Sequence, residues 1–441
     1  MTSFMAISFA SSKARPVPEA YRRNFNHLIL DIAWFGVLNG SAVAFVAVYA
    51  TRLGASAFQL GLLNAMPAVV NLLFALPAGR WLQARPISRA TFYSSVIHRW
   101  FYLVWVFLPF FFGPMEQVWL LVLLTVLMSI PGTALAIGFN GLFAATVPPE
   151  WRAQVVGVRN AAYALTSIVV TLIAGWLLNA MPFPVGYQLV FLIGFIGAAM
   201  SSLHLWLIHP ADEHRKPANG DSLGDWAQPG ATSMWQSLRM TVGLRFLMRQ
   251  KPLKSHWFNP LKDFSYRRVL LLVFAVHLAL YLAVPLFPIY LVRELGLNDQ
   301  VIGLGNSIFY VALFLVSARL DTVTQRLGHR RTMALGVLII SLYPALLSLA
   351  HDATLYLVAS IMGGAGWALA GGAVGNFVLE KTPDNSRPSY LAWYNMSLQA
   401  GILLGALIAP LMAGWWGLTI GLAFAAVCRF LTGLAIWRTN E

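Results

Sequence analysis

Few of the 441 residues could do acid–base or ionic chemistry away from bulk water. Asp31 is the one acidic residue well inside a long apolar run, eight positions after Arg23, and His277 holds a matching place nine positions after Arg268. A sheltered carboxylate changes its proton affinity as its hydration changes, and an imidazole titrates near neutral pH. If both face one cavity, the pair predicts a proton-coupling site. The competing expectation is a fixed ionic contact, because charges inside a membrane are costly and usually paired. Arg99, beside His98, lies roughly 13 Å along its own run at helical rise and needs an acceptor. Asp31 is the acid nearest in depth, which predicts a structural ion pair between them. Arg429, in the last run, is expected to snorkel to the surface.

Neutral polar residues extend the set of candidate substrate contacts. Asn64 and Asn71 are seven apart and share a helical face, as do Asn306 and Tyr310. Gln399 falls near the middle of its run, Asn39 sits beside Gly40 and Ser41, and Trp34 follows Asp31 by one turn. Each could line a cavity, and each could equally serve as a hydrogen bond between helices. No His-Glu-x-x-His, Gly-x-Ser-x-Gly or phosphate-cradling Gly-rich loop with Lys occurs, so no catalytic residue, metal or cofactor is expected. The single cysteine, Cys428, cannot form an intrachain disulfide.

The elements that must position these residues follow from composition. Hydrophobic residues make up 58% of the chain and charged ones 10%, with a mean hydropathy of +0.67, a balance that suits lipid rather than water. Apolar runs long enough to cross a bilayer fall at 27–50, 58–80, 90–112, 117–139, 156–179 and 186–208. Six more fall at 268–292, 300–320, 332–351, 353–377, 390–413 and 415–437. The expected fold is all-α and membrane-integral, with twelve spans in two six-helix bundles, 27–209 and 267–437. A polar lead (1–26) without the apolar core of a signal peptide, a basic linker (210–266) and a short tail (438–441) complete the chain. The linker stretch 234–258 is expected to lie along the membrane surface.

A net charge of +14 would suggest nucleic acid in a soluble protein. Here the basic residues gather in alternate loops instead. With the N-terminus inside, the outer loops hold only Arg52 and Arg293 of the 30 Lys and Arg. That asymmetry predicts a multi-pass protein of the cell membrane with both termini cytoplasmic and no nucleic-acid partner.

The two halves repeat each other. Pro148, Arg152 and Asn160 match Pro383, Arg387 and Asn395 at a spacing of 235. Leu53, Gly54, Gly61 and Asn64 match Leu295, Gly296, Gly303 and Asn306 at 242, and Tyr21, Arg22 and Arg23 match Tyr266, Arg267 and Arg268 at 245. A duplicated six-helix unit places a pseudo-twofold axis along the membrane normal and a cavity between the halves.

On this plan the chain resembles the major facilitator superfamily from Tyr21 to Trp437. The loops between helices 2 and 3 and between 8 and 9 carry parts of that family's motif: Gly79 and Gln83 in the first, Asp321, Gln325, Arg326, Gly328 and Arg330 in the second. Gln83 and Gln325 stand where the family has Asp, so the charge-dependent latch that these gating loops make there is expected to be weaker. The resemblance implies a secondary transporter whose halves rock about a central site, with helices 1, 4, 7 and 10 lining the path. Glycines at 363, 364, 366, 371, 372 and 375 in helix 10, and Pro131 with Gly132 in helix 4, suit either close packing or a moving gate. The expected activity is movement of a small solute, with proton-coupled export of amphipathic compounds ahead of uptake of a polar nutrient. A non-transporting receptor on the same fold is the third reading. The expected partners are the bilayer, a small-molecule substrate and protons, and the expected state is a monomer.

Overall fold

A computed structural model describes residues 19–209, 259–383 and 387–439. The linker stretch 210–258, including the expected surface segment, lies outside the described residues, as do the first part of the polar lead and the end of the tail. Among the described residues every long element is a helix and no strand occurs. The helices are α1 (Tyr21–Arg52), α2 (Ala57–Leu82), α3 (Ile87–Phe111), α4 (Pro114–Thr146), α5 (Pro149–Ala180) and α6 (Val185–Trp206). The second set is α7 (Phe264–Glu294), α8 (Asp299–Ser317), α9 (Leu320–Ser348) and α10 (Ala353–Glu380). Continuous helix follows over Arg387–Arg438, except at Gly417. There φ is +82°, a left-handed conformation that divides the stretch into α11 (387–416) and α12 (418–438). Among the described residues twelve helices are thus long and apolar enough to span a membrane, and large apolar side chains such as Phe111, Leu271 and Leu315 are exposed on the outside of the bundle.

The repeat has a physical basis at the turns. Gly54 and Gly296, equivalent by sequence, both take positive φ, at +99° and +60°. Two residues on, Ser56 and Asn298 cap the next helix, accepting from Gln59 N and Val301 N. Each turn reverses the chain at what is here termed the far face. The opposite linker face holds the start of α1, the end of α6 and the start of α7; there Asn24 donates to the His209 carbonyl at 2.9 Å.

Two helices are broken where the sequence predicts smooth spans. In α1 a π-turn occupies Asn39–Val43. In α7 a 3-10 turn over Val284–Leu286 and a π-turn over Tyr290–Glu294 interrupt the helix around Pro285 and Pro288, which supply no N–H. The helix-10 glycines close the C-terminal half: added Cβ atoms would meet the Phe309 carbonyl at Gly364, Ile340 N at Gly366 and Leu320 at Gly372. Those glycines serve helix packing against α8 and α9.

One boundary changes the reading of a charge. The apolar run predicts a fifth helix from 156, but α5 begins at Pro149, where proline at the first helical position and the polar residues after it extend the helix. Arg159 therefore lies ten residues past the helix start (159 − 149) and not in its first turn, and it is 1% exposed.

Candidate functional site

The halves meet along two seams that the pseudo-twofold axis interchanges: α2 against α11, and α5 against α8. Glycine permits both. A Cβ on Gly61 would lie 2.6 Å from the Ala406 carbonyl and 2.8 Å from Pro410, and one on Gly303 would lie 3.0 Å from the Thr171 carbonyl and 3.1 Å from Gly175. Gly61 and Gly303 are sequence equivalents, and so are Pro410 and Gly175.

At the far face, two arginines clamp the seams reciprocally. Arg52 of the first half donates to the Leu297 carbonyl at 2.8 Å and to Asp299 at 2.9 Å. Arg293 of the second half donates to the Ala55 carbonyl at 2.7 Å and to the Thr51 carbonyl at 3.4 Å. Ala55 and Leu297 are themselves equivalent at the 242 spacing. A cavity of about 430 Å³ beside the Arg52–Asp299 pair is lined by residues of both halves, among them Asn179, Phe183, Tyr187 and Asn298.

Deeper along the seams lie several of the predicted contacts. Asn39, the first residue of the α1 π-turn, donates to the Tyr310 hydroxyl at 2.7 Å, and both residues are buried. Ser307 donates to the Ile168 carbonyl at 3.3 Å, and the Tyr163 and Tyr310 rings meet edge to face. The other candidates bond within their own half or not at all. Asn64 and Asn71 donate to the carbonyls of Leu60 and Pro67 in their own helix, and Asn71 accepts from Thr133 of α4 at 2.9 Å. Asn306 and Trp34 are half-buried, the Trp34 carbonyl lying against Gly197 of α6. Gln399 is buried, its amide nitrogen without an acceptor, and Asn395 one turn earlier is in the same condition.

The charged residues form a cluster inside the first half. Asp31 of α1 accepts from Ser201 of α6 at 2.5 Å and from Arg159 of α5 at 3.3 Å, with Arg99 of α3 at 3.9 Å. Arg99 also donates to Ser202 at 2.9 Å, and Arg159 to the Leu28 carbonyl, with its guanidinium 4.7 Å from the Phe139 ring centre. One buried carboxylate thus holds two buried cations from two other helices.

His277 is not part of this cluster. Its Nδ1 bonds the Val273 carbonyl of its own helix at 2.8 Å and its Cβ faces Gly401 of α11; no hydrogen bond or ion pair joins it to Asp31. The structure does not bring the expected proton pair together, because Asp31 faces the interior of one half and His277 that of the other.

Arg429 corrects a second expectation. It does not snorkel: it is 2% exposed and donates to the carbonyls of Ala279, Leu280 and Ile340 at 3.2, 2.6 and 3.3 Å. The reason is local. Ile340 lies four residues before Pro344, which has no N–H to give, and the Ala279 carbonyl loses its helical donor because Ala283 N turns to Leu280. Arg429 caps carbonyls that the break in α7 and the proline in α9 leave open.

At the linker face, Gly79 is buried near the end of α2, while Gln325 and Arg326 are exposed at the start of α9; the Gln83 side chain lies outside the described residues. Gly328 takes φ +75° and bends α9. Arg330 donates to the Ile436 carbonyl of α12 at 3.2 Å, and His329 sits 3.5 Å from Glu380 of α10. This loop is tied within its own half.

Arg159, Asn395 and the clamp partners escaped the sequence reading. Counting from Pro149 would have found the first, and the repeat that pairs Asn160 with Asn395 pointed to the second without a role.

A membrane-spanning bundle built of two equivalent six-helix halves around a shared seam defines a transporter architecture. The model of the Major Facilitator Superfamily matches residues 29–275 and 269–441, and the chain belongs to that family. It is similar to the quinolone resistance protein NorA of Staphylococcus aureus (strain MRSA252), with 21% identity over 141 residues, 32% of this chain and 36% of that protein. It is also similar to the cis,cis-muconate transport protein of Acinetobacter baylyi (strain ATCC 33305 / BD413 / ADP1), with 24% identity over 305 residues, 67% of this chain and 65% of that one. The chain thus spans about a third of the first relative and just under two thirds of the second. Its fold is similar to the crystal structure of a bacterial homologue of the iron transporter ferroportin, with a TM-score of 0.67 at 14% identity over 95% of this chain and 99% of the other.

Proposed function

We propose that the protein is a secondary transporter that moves a small solute between its halves by alternating access, and that the conformation described here is closed at the outer side. In this reading the termini and linker are cytoplasmic, and the far face is outside, as the distribution of Lys and Arg favours. The observation that carries the reading is the reciprocal clamp of Arg52 and Arg293. Contacts this shallow, symmetric and polar can be exchanged for water without unpacking either half, which is what a gate needs.

Export of amphipathic compounds is the preferred direction, supported by the stretch shared with a quinolone resistance protein. Uptake of a polar nutrient has the likeness to a muconate transport protein in its favour. An anionic nutrient would need a cation on the seam, however, and the buried arginines of the spans are engaged elsewhere. Proton coupling through Asp31 and His277 would have to run through two separate sites, one in each half.

Alternating access is testable without knowing the solute. In a Cys428→Ser background, Thr171→Cys reports the outer seam and Ala75→Cys the inner one; both positions are fully buried here. Oriented vesicles treated with an impermeant maleimide should show that labelling the outer site protects the inner one, and the reverse. Independent labelling of the two, or labelling from one side only, would reject the proposal.

A further inference from the structure

Two helices from opposite halves run together over a measurable stretch. Gly61 of α2 packs on Ala406 of α11, and fourteen residues along each helix Ala75 and Ala392 share one buried cluster. The helices are antiparallel, so the Gly61–Ala406 contact and this shared cluster set the register over about 21 Å of seam. Midway between them, Gln399 lies seven residues from Ala406 and comes opposite Ala68, seven residues from Gly61. Asn395, one turn further, comes to the level of Asn71.

Gln399 and Asn395 are 1% and 3% exposed, and neither amide nitrogen has an acceptor. Ala68 opposite has no polar side-chain atom to offer. A buried amide without a partner is costly, and native proteins rarely leave two on one helical face without a use. From this we infer that Asn395 and Gln399 form a solute-binding site on the α2–α11 seam, which takes an uncharged solute through its carbonyl, ether or ring-nitrogen acceptors. The inference rests on the alternating-access reading, since the solute reaches the amides only when the seam parts.

The charge of the solute follows from what surrounds the site. The buried Asp and Arg residues within the spans are Asp31, Arg99, Arg159, Asp299 and Arg429. Asp31 holds Arg99 and Arg159 inside the first half, Asp299 is held by Arg52 at the far face, and Arg429 is spent on three carbonyls inside the second half. None is left over for the stretch that holds the two amides, so an ionic solute would sit there in a low-dielectric passage without a free counter-charge. The body of the solute follows from Ala68, Leu398 and Ile402, which share one buried apolar cluster along this stretch and favour an apolar frame carrying a few acceptors.

The test uses purified full-length protein and three labelled probes. Caffeine is uncharged and has acceptors but no N–H, benzoate is an anion, and tetraphenylphosphonium is a cation. Wild type should bind caffeine saturably and more tightly than the two ions. Asn395→Leu with Gln399→Met, near-isosteric and without donors, should weaken caffeine at least tenfold while leaving the ligand-free thermal midpoint unchanged or higher, because idle buried amides are removed. A lowered midpoint would show that the amides are structural and overturn the site; Gln399→Met alone repeats this reading if the pair fails to fold. Unaltered caffeine affinity, or wild-type binding of an ion alone or of no probe, would overturn it as well. The maleimide experiment separates the outcomes: reciprocal protection together with failed caffeine binding rejects the solute class and keeps transport, whereas its absence rejects transport.

Discussion

The Asn39 amide donates to the Tyr310 hydroxyl at 2.7 Å, so that a buried hydrogen bond joins α1 of one half to α8 of the other. Asn39 is the first residue of the α1 π-turn, a local departure from regular helix of the kind that recurs at functional sites. Tyr310→Phe would leave the Asn39 amide buried and unpaired in this conformation, at a cost of about 1–3 kcal/mol, and hydrated when the halves part. The outward-open population should rise roughly 5- to 150-fold. Labelling of Thr171→Cys from outside measures it, and an unchanged rate would remove Asn39 from any role in the closed state.

The far-face clamps predict a symmetric result. Arg52 is partly exposed, at 28%, so loss of its pairing with Asp299 is worth only about 1 kcal/mol in Arg52→Gln. Arg293→Gln should cost a similar amount, because its carbonyl acceptors Ala55 and Thr51 occupy the equivalent turn. The double variant should label from outside faster than either single one, and only the Arg52 contribution should weaken with added salt, since only Arg52 has a carboxylate partner.

How much of this was legible in sequence depends on whether a residue's role follows from its period or from its neighbours. The twelve spans, the repeat and the family resemblance rest on hydropathy and on residues such as Gly54, Gly61, Gly296 and Gly303, whose backbone duties recur at a fixed spacing. Asn39, Tyr310 and Gln399 were visible as polar residues in apolar runs, but not which of them would find a partner: Asn39 and Tyr310 meet, whereas the Gln399 amide does not. The burial of Arg159 turned on where α5 begins, which hydropathy alone does not mark when a helix starts with polar turns. That of Arg429 turned on carbonyls freed by prolines in two other helices, a relationship only the tertiary structure contains.

Asp31 separates a structural role from a proton-coupling one. Asp31→Asn would leave Arg99 and Arg159 buried without their common counter-charge, which costs about 3–5 kcal/mol when one partner of a buried pair is removed. A large fall in thermal midpoint is expected, partly recovered by adding Arg159→Met, since the two residues belong to one network. A freely folding Asp31→Asn protein that loses only proton-driven accumulation would instead return Asp31 to the coupling role.

Arg429 makes the sharpest prediction, because its work can be handed to another group. Arg429→Met leaves the carbonyls of Ala279 and Ile340 without donors, at about 1–3 kcal/mol for each, and frees the break in α7 that carries Arg293 to the outer clamp. Thermal unfolding should come earlier, and amide hydrogens of residues 287–294 should exchange faster. Pro344→Ala restores an N–H four residues after Ile340, so the helix can satisfy that carbonyl itself. Combined with Arg429→Met, it should recover part of the lost stability but not the exchange protection in α7, where Ala279 stays uncapped. If Pro344→Ala gives no rescue, the Ile340 carbonyl is not what holds Arg429 inside the membrane.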